Sequence, residues 1–225
     1  MSWRVVQQQI DQPWLCDALG MNRSSTVNIV SVILAAGASS RFNGSKITAK
    51  IQNGQSVLGH SIATLNQLSE LANIATPVVI LGAHINDDVM AITANTLRMI
   101  NPHWQLGLSS SVKQAVTYAI EVKADALLLV LADQVALSVD DYVGLIEAYL
   151  QNGKTSCSYY HQDVGVPAIF IADDFTDLLS INGDKGAKTV LKRHAHQHSL
   201  NILPMENAQF DIDTPADLAL WLDQQ

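Results

Sequence analysis

The chain has 225 residues, 48% of them hydrophobic and 15% charged, and carries a formal net charge of −8. This composition excludes a disordered polypeptide and is enough for one sizeable core, so a single compact domain is expected. The acidic balance excludes nucleic acid and acidic membrane surfaces as natural partners, and no segment reaches the ~20 consecutive apolar residues that span a bilayer.

Residues 1–28 read as an N-terminal extension, polar and rich in glutamine (Gln7, Gln8, Gln9, Gln12), with the domain proper over 29–225. Trp3 and Trp14 could dock on the body, and initiation at Met21 would still yield a complete domain. No basic, apolar, small-residue order marks a signal peptide. Cys16 and Cys157 have no metal-type spacing, and so few cysteines fit a reducing cytoplasm, the expected location.

Strand-like runs then alternate with helical spacing. A strand over 27–34 leads into a loop, and a helix over 56–71 follows. The apolar run 77–81 is stopped by Gly82, with a helix over about 87–97 and a short strand at 97–100. In 109–122, Val112, Ala115, Val116, Ala119 and Ile120 recur at helical spacing, with Ser109 or Ser110 as N-cap. The apolar stretch 126–132 suits a strand covered on both faces, and 139–150 a helix. Strands at 156–160, 166–171 and 200–203, a helix over 187–194 and a helix from Pro215 capped by Thr214 complete the order. The alternation predicts a three-layer α/β/α fold on a mostly parallel sheet. Ligands of such sheets bind beyond the carboxyl ends of the strands, where the loop after Leu34 and the residues after Leu131 both lie.

Leu34 to Lys46 reads LAAGASSRFNGSK. Small side chains let an anion approach backbone N–H groups, Arg41 offers a planar fork of donors, and Lys46 a mobile point charge. The stretch is therefore a triphosphate cradle or an ordinary strand-to-helix loop with solvated cations. It fits neither standard phosphate-loop pattern: Gly37 and Gly44 are spaced too widely for G-x-x-x-x-G-K-[ST], and G-x-G-x-x-G is absent.

Asp133 leaves the buried run at its carboxyl end, a place to hold Mg²⁺ or simply to form a turn. Asp211 and Asp213 are two apart, so on a strand both would face one way as further metal ligands, while at least one could serve the following helix N-terminus. His194, His196 and His198 alternate, but lack a converging carboxylate or cysteine and read as a solvated helix end. Trp104 and Trp221 read as packing anchors rather than base-stacking platforms.

Together these stretches resemble the molybdenum cofactor cytidylyltransferase family, within the glycosyltransferase-A-like nucleotidyltransferases, over roughly residues 29–222. The family's L-A-A-G-x-S-x-R-[FM]-G-x-x-K is matched by Leu34 to Lys46, with Asn43 where glycine is common. Its D-[QM]-P is matched by Asp133-Gln134-Val135, and its G-x-P by Gly165-Val166-Pro167. Gly183 to Lys188 matches G-D-x-G-A-[RK], and Asp211 to Leu218 matches D-I-D-T-P-x-D-L. Val135 in place of proline and Lys50 in place of an apolar residue are departures.

The resemblance implies a glycosyltransferase-A-like (Rossmann-like) sheet and a Mg²⁺-dependent transfer of CMP from CTP to the phosphate of molybdopterin, with a molybdoenzyme client as further partner. It implies that Leu34, Ala35, Ala36, Gly37, Ser40, Gly82 and Ser110 contact the nucleotide and that Arg41 and Lys46 hold its phosphates. It assigns Asp133 to catalysis and metal binding, with Asp213 and Asp211 as further ligands, and Gly165, Pro167 and Asp184 to the acceptor side. Two alanines before Gly37, Gln134 and D-I-D-T-P resemble the cytidylyl rather than the guanylyl branch. Alternatives are a nucleotidyltransferase for another sugar or alcohol phosphate, and a non-catalytic cofactor carrier.

Overall fold

The computed structural model describes residues 27–51, 54–72 and 74–224. The expected extension over 1–28 therefore lies, except for its last two residues, outside the described residues. Seven strands form one sheet: β1 (Ile29–Ala35), β2 (Val78–Leu81), β3 (Leu97–Ile100), β4 (Ala126–Leu131), β5 (Ser156–Tyr160), β6 (Asp163–Ile171) and β7 (Asn201–Pro204), in the order β3-β2-β1-β4-β6-β5-β7. β1 runs parallel to β2 and β4, β2 to β3, and β5 to β7; β6 alone is antiparallel to its neighbours β4 and β5.

The period of two along the strands builds two cores. Ile29, Ile33 and Ala35 of β1, with Leu128 and Val130 of β4, pack on helices α1 (Val57–Ala72) and α4 (Val139–Asn152). Val30, Val32 and Leu34, with Leu127 and Leu129, pack on α3 (Leu108–Glu121), α5 (Phe175–Ser180) and α6 (Lys188–His196) on the other face. The three-layer α/β/α expectation holds. Helix α2 (Asp87–Ile92) and the C-terminal α7 (Pro215–Asp223) complete the described α-helices. A third, small cluster joins Ile51, Val57, Val135 and Ile212 to Phe42, Phe210, Leu218 and Trp221.

Several boundaries differ from the sequence expectation for local reasons. The helix expected over 87–97 ends at Ile92, six residues after its Asn86 cap, and the chain turns into β3. The N-cap of α3 is Gly107 at φ 93°, not a serine; Ser109 and Ser110 sit in its first turn. Strand β6 begins at Asp163 rather than 166, because β5 and β6 are a hairpin turning on His161 and Gln162, both at positive φ. The cap of α7 is as expected: Thr214 and Asp217 form a reciprocal capping box with Pro215 at the first turn.

Of the three alternating histidines, one departs from expectation. His194 is no solvated helix end: its Nε2 meets Asp174 Oδ1 at 2.6 Å and its Nδ1 meets Ser199 Oγ at 2.8 Å. Asp174 is 3% exposed and also accepts from Thr155 Oγ1, so this network ties α6 to the start of β5 and the turn before α5. His196 and His198 are exposed. We expect His194→Ala to cost about 1.5–3 kcal/mol, the worth of a hydrogen bond to a charged group, read as a lower urea midpoint with unchanged m-value. His196→Ala should leave the midpoint where it is.

Candidate active site

The parallel pairing of β1 and β4 matches Leu34 with Leu131, so the two strands deliver their following loops to one place. Ala132 N–H donates to Leu34 O at 3.2 Å, and the loops diverge only after that bond. Above them lies a cavity of about 380 Å³, lined by Leu34 to Ala38, Lys46, Leu131 to Asp133, Trp104, Gly107, Ser111 and Asp184 among others. That is an ordinary size for a small-molecule pocket.

Gly37 and Gly82 serve this cavity in opposite ways. A Cβ on Gly37 would meet nothing within 4 Å, so protein packing does not require glycine there; the free space faces the cavity. Among the described residues, the N–H groups of Gly37 and Ala38 donate to no protein acceptor, which leaves two donors for a bound anion. A Cβ on Gly82 would come within 2.7 Å of Ala36 Cβ and Ala36 O and 2.8 Å of Trp104 Cβ. Gly82 thus lies beneath the loop as its support, outside the cavity wall. Ala83 N–H donates to Ala36 O at 3.1 Å, and the His84 ring donates to Ala38 O at 3.0 Å, pinning the same loop. Farther on, Asn43 occupies the left-handed region at φ 57°, a conformation asparagine tolerates, which explains why it can stand where glycine is common.

Three charged segments converge beside the cavity. Lys46 Nζ is bonded to Asp133 Oδ2 and to Asp213 Oδ1, the latter at 2.9 Å, and Arg41 Nη2 donates to Asp213 Oδ2 at 2.7 Å. Burial pulls the Lys46 pKa down, but the two carboxylates outweigh it and hold it above the ordinary lysine value. Arg41 is exposed, whereas the Lys46 and Asp133 side chains are each only 15% exposed. Lys46 N–H donates to Ser39 Oγ at 3.3 Å, so Ser39 rather than the exposed Ser40 braces the loop.

The Asp133 segment is held from several sides. Ser61 Oγ donates to Ala132 O at 2.8 Å, and His60 Nε2 donates to Val135 O at 3.1 Å. Gln134 is buried, donating from Nε2 to Val166 O at 3.1 Å and to Ala208 O at 2.7 Å. Val135 replaces a proline of the resembled motif, and its N–H donates to Asp133 O at 3.0 Å, a restraint that proline could not make. Ile212 N–H donates to the same carbonyl at 3.1 Å and brings the third acidic segment alongside.

Asp211 and Asp213 do not share a strand face, because this segment is irregular. Neither caps α7, since Thr214 and Asp217 do that work. Asp213 faces the two cations, while Asp211 is partly buried with Oδ1 unpartnered. Burial, then the charges of Asp133 and Asp213, push the Asp211 pKa up to about 7.

Among the described residues, no group of three or more His, Cys, Asp or Glu side chains is arranged to hold a metal ion. The donor set nevertheless fits Mg²⁺, which at phosphate sites takes one or two carboxylates plus phosphate oxygens and water. Asp133 and Asp213 supply hard oxygens on a shared point, and Asp133 Oδ1 is buried without a hydrogen-bond partner.

The other sequence-assigned residues are placed as follows. Ser110 is outside the cavity wall; its hydroxyl donates to Gly107 O at 2.9 Å and accepts from Asn101 Nδ2 at 2.8 Å. Its neighbour Ser111 lines the cavity and accepts from the same amide at 3.0 Å. Gly165 and Pro167 are buried in β6; Gly165 underlies the Tyr160 ring, whose Oη would sit 2.7 Å from an added Cβ. Asp184 does line the cavity, packed against Gly107. Trp104 both packs on the second core and forms cavity wall, while Trp221 packs on Phe210 at 5.1 Å between ring centroids. The stretch from Trp104 to Ser111 resembles the family's G-x-x-x-S element near the nucleotide, and it does border the cavity, but through Gly107 and Ser111 rather than Ser110. The positive φ that favours glycine at 107 becomes visible only once the turn before α3 is known.

The raised Asp211 pKa has a stability consequence. Below about pH 4 the carboxyl is protonated in both the folded and unfolded states. As pH rises from there toward 7, the unfolded chain gives up the proton while the folded one keeps it, so stability falls. In chelator-containing buffer, Asp211→Asn should therefore raise the urea midpoint more at pH 8 than at pH 5; an equal shift at both values would contradict this account.

Residues 31–198 match the family model of the MobA-like NTP transferase domain. Among curated proteins no significant match is found. The fold is similar to a nucleotidyl transferase from Methanothermobacter thermautotrophicus, with TM-score 0.71 and 19% identity over 88% of this chain and 97% of that one. It is similar to Rv0371c of Mycobacterium tuberculosis H37Rv, solved in complex with manganese, at TM-score 0.66 and 21% identity over 88% and 100% of the chains. It is likewise similar to a 4-diphosphocytidyl-2C-methyl-D-erythritol synthase from Anaerococcus prevotii, at TM-score 0.68 and 13% identity over 88% and 96%. At such identities the structures establish the fold, and the family model, which spans most of the chain, establishes the lineage: this protein belongs to the MobA-like NTP transferase domain family.

Proposed function

We propose that this protein transfers CMP from CTP to the terminal phosphate of molybdopterin and releases pyrophosphate. The observation that carries the nucleotidyl-transfer reading is the convergence of Arg41 and Lys46 with Asp133 and Asp213 beside a cavity lined by the open Gly37 loop. The preference for CTP is supported by the two alanines before Gly37, by Gln134 and by the Asp211-Ile212-Asp213-Thr214-Pro215 run. The fold it shares with a diphosphocytidyl synthase points the same way.

In this reading an oxygen of the acceptor phosphate attacks the α-phosphorus in line. The bond from that phosphorus to the oxygen bridging it to the β-phosphorus breaks, and pyrophosphate leaves with the bond pair. The attacking group is already anionic, so no side-chain nucleophile is needed. The Gly37 and Ala38 N–H groups and Arg41 would hold the outgoing phosphates, and Lys46 would meet the charge that gathers on the α-phosphate. Alignment of two bound reactants can supply about 7–11 kcal/mol of the barrier, and loss of one preorganised donor costs about 3–4 kcal/mol in comparable sites. Asp133 and Asp213 are the residues that would hold Mg²⁺. When bound, it would neutralise phosphate charge and help align the reacting groups.

The deciding experiment supplies each triphosphate with Mg²⁺ and molybdopterin and measures pyrophosphate. Release that depends on CTP and molybdopterin supports the proposal. Release only with another phosphorylated acceptor, or binding without turnover, overturns it. Lys46→Ala and Asp133→Ala should each cut release at least about a hundredfold, which is about 2.7 kcal/mol of barrier, with the circular dichroism spectrum unchanged. Gly37→Val should leave the melting temperature unchanged yet weaken triphosphate binding about tenfold or more, because its side chain enters only the cavity.

A further inference from the structure

Lys46 occupies a position that the transfer reaction alone does not account for. Its ammonium lies between a carboxylate oxygen of Asp133 and one of Asp213, the two side chains that the proposed function assigns to the metal. Asp213 uses its other oxygen to engage Arg41 at 2.7 Å. Both groups suited to phosphate are thus paired internally with both groups suited to a cation. A metal drawn to Asp133 and Asp213 competes with the Lys46 ammonium for one point in space. A triphosphate drawn to Lys46 and Arg41 competes with the same two carboxylates.

Either exchange made alone is costly. If Asp133 and Asp213 took a divalent ion while no anion was present, Lys46 would be left beside like charge in a partly buried site. If Lys46 and Arg41 turned to phosphate while no metal was present, Asp133 and Asp213 would face the triphosphate unneutralised. Made together, the exchanges leave every charge matched. The flexible four-carbon stem of lysine suits such a change of partner, and Asp133 is braced too firmly, through Gln134, Val135 and Ala132, to move away instead.

Building on the nucleotidyl-transfer reading, we propose that Lys46 is a resident cation holding the metal's place between Asp133 and Asp213, so that divalent metal and triphosphate bind with positive coupling through an exchange of ion-pair partners. By linkage the coupling is reciprocal, and factors of about 5–150 are usual for such effects.

The test measures each ligand alone. Mn²⁺ binding without nucleotide is followed by electron paramagnetic resonance of the free ion, and CTP binding in chelator by titration calorimetry. Lys46→Met, and Lys46→Gln as a second variant should the first fold poorly, should bind Mn²⁺ about tenfold more tightly than the native protein. Asp213→Asn, which releases Arg41 and loosens Lys46, should bind metal-free CTP several-fold more tightly. Unchanged or weaker Mn²⁺ affinity in both Lys46 variants, or unchanged metal-free CTP affinity in Asp213→Asn, overturns the exchange. Failure of the native protein to bind CTP even with Mn²⁺ present would instead remove the nucleotidyl-transfer reading on which the proposal rests.

Discussion

The ion-paired bridge from Asp133 through Lys46 to Asp213 and on to Arg41 is the constraint on which the rest of this site depends. It joins segments separated by 87 and 167 residues along the chain, measured from Lys46. Like charges cannot be gathered at a half-buried point without partners, and unpaired ions there would be strongly disfavoured. The bridge exists because three separate loops are each held by contacts other than the charges themselves. β1 and β4 place two of them by their parallel register, and the small cluster of Ile51, Val57, Val135 and Ile212 with Phe210 and Trp221 places the third.

Around that bridge the supporting contacts are mostly to the backbone. Ser61, His60 and Gln134 all donate to carbonyls on or facing the Asp133 loop, and His84 and Ala83 do the same for the Gly37 loop. Such bonds fix where a carboxylate or an N–H group sits while leaving it free to meet a ligand. The antiparallel strand β6 has a part in this, since its place beside β4 carries Val166 O to Gln134 and stacks Tyr160 over Gly165. A wholly parallel sheet would put a crossover connection there instead of a hairpin.

The acidic chain and its anionic ligand are reconciled locally. With a net charge of −8 the protein as a whole repels a triphosphate. The cavity answers with two cations, two open N–H groups and carboxylates that become assets once a divalent ion is present. Cation and acid are interleaved, which keeps their summed charge near zero and favours the binding of each ligand once the other is in place.

The sequence by itself determined the layers, the order of elements along the chain and the chemical inventory. Alternation in the strands and helical spacing in 109–122 are short-range signals, and they specify which faces must be buried whatever the topology. The loop from Leu34 to Lys46 and the acid after the buried run at 126–131 were legible for the same reason: a change from apolar to small or charged residues at a strand end is local. What the sequence could not disclose is pairing at a distance. Gly37 and Gly82 look alike in a string of letters, yet one leaves room for a ligand and the other leaves room for Ala36. Ser110 and Ser111 are neighbours, and only the helix that begins at Leu108 turns one to the cavity and the other to its own first turn. His194 carried no visible partner until Asp174 was brought to it from 20 residues away. Above all, the tertiary structure decided that Lys46 stands between Asp133 and Asp213, because the meeting of those charges is set by strand register and by a satellite core, neither of which any local stretch encodes.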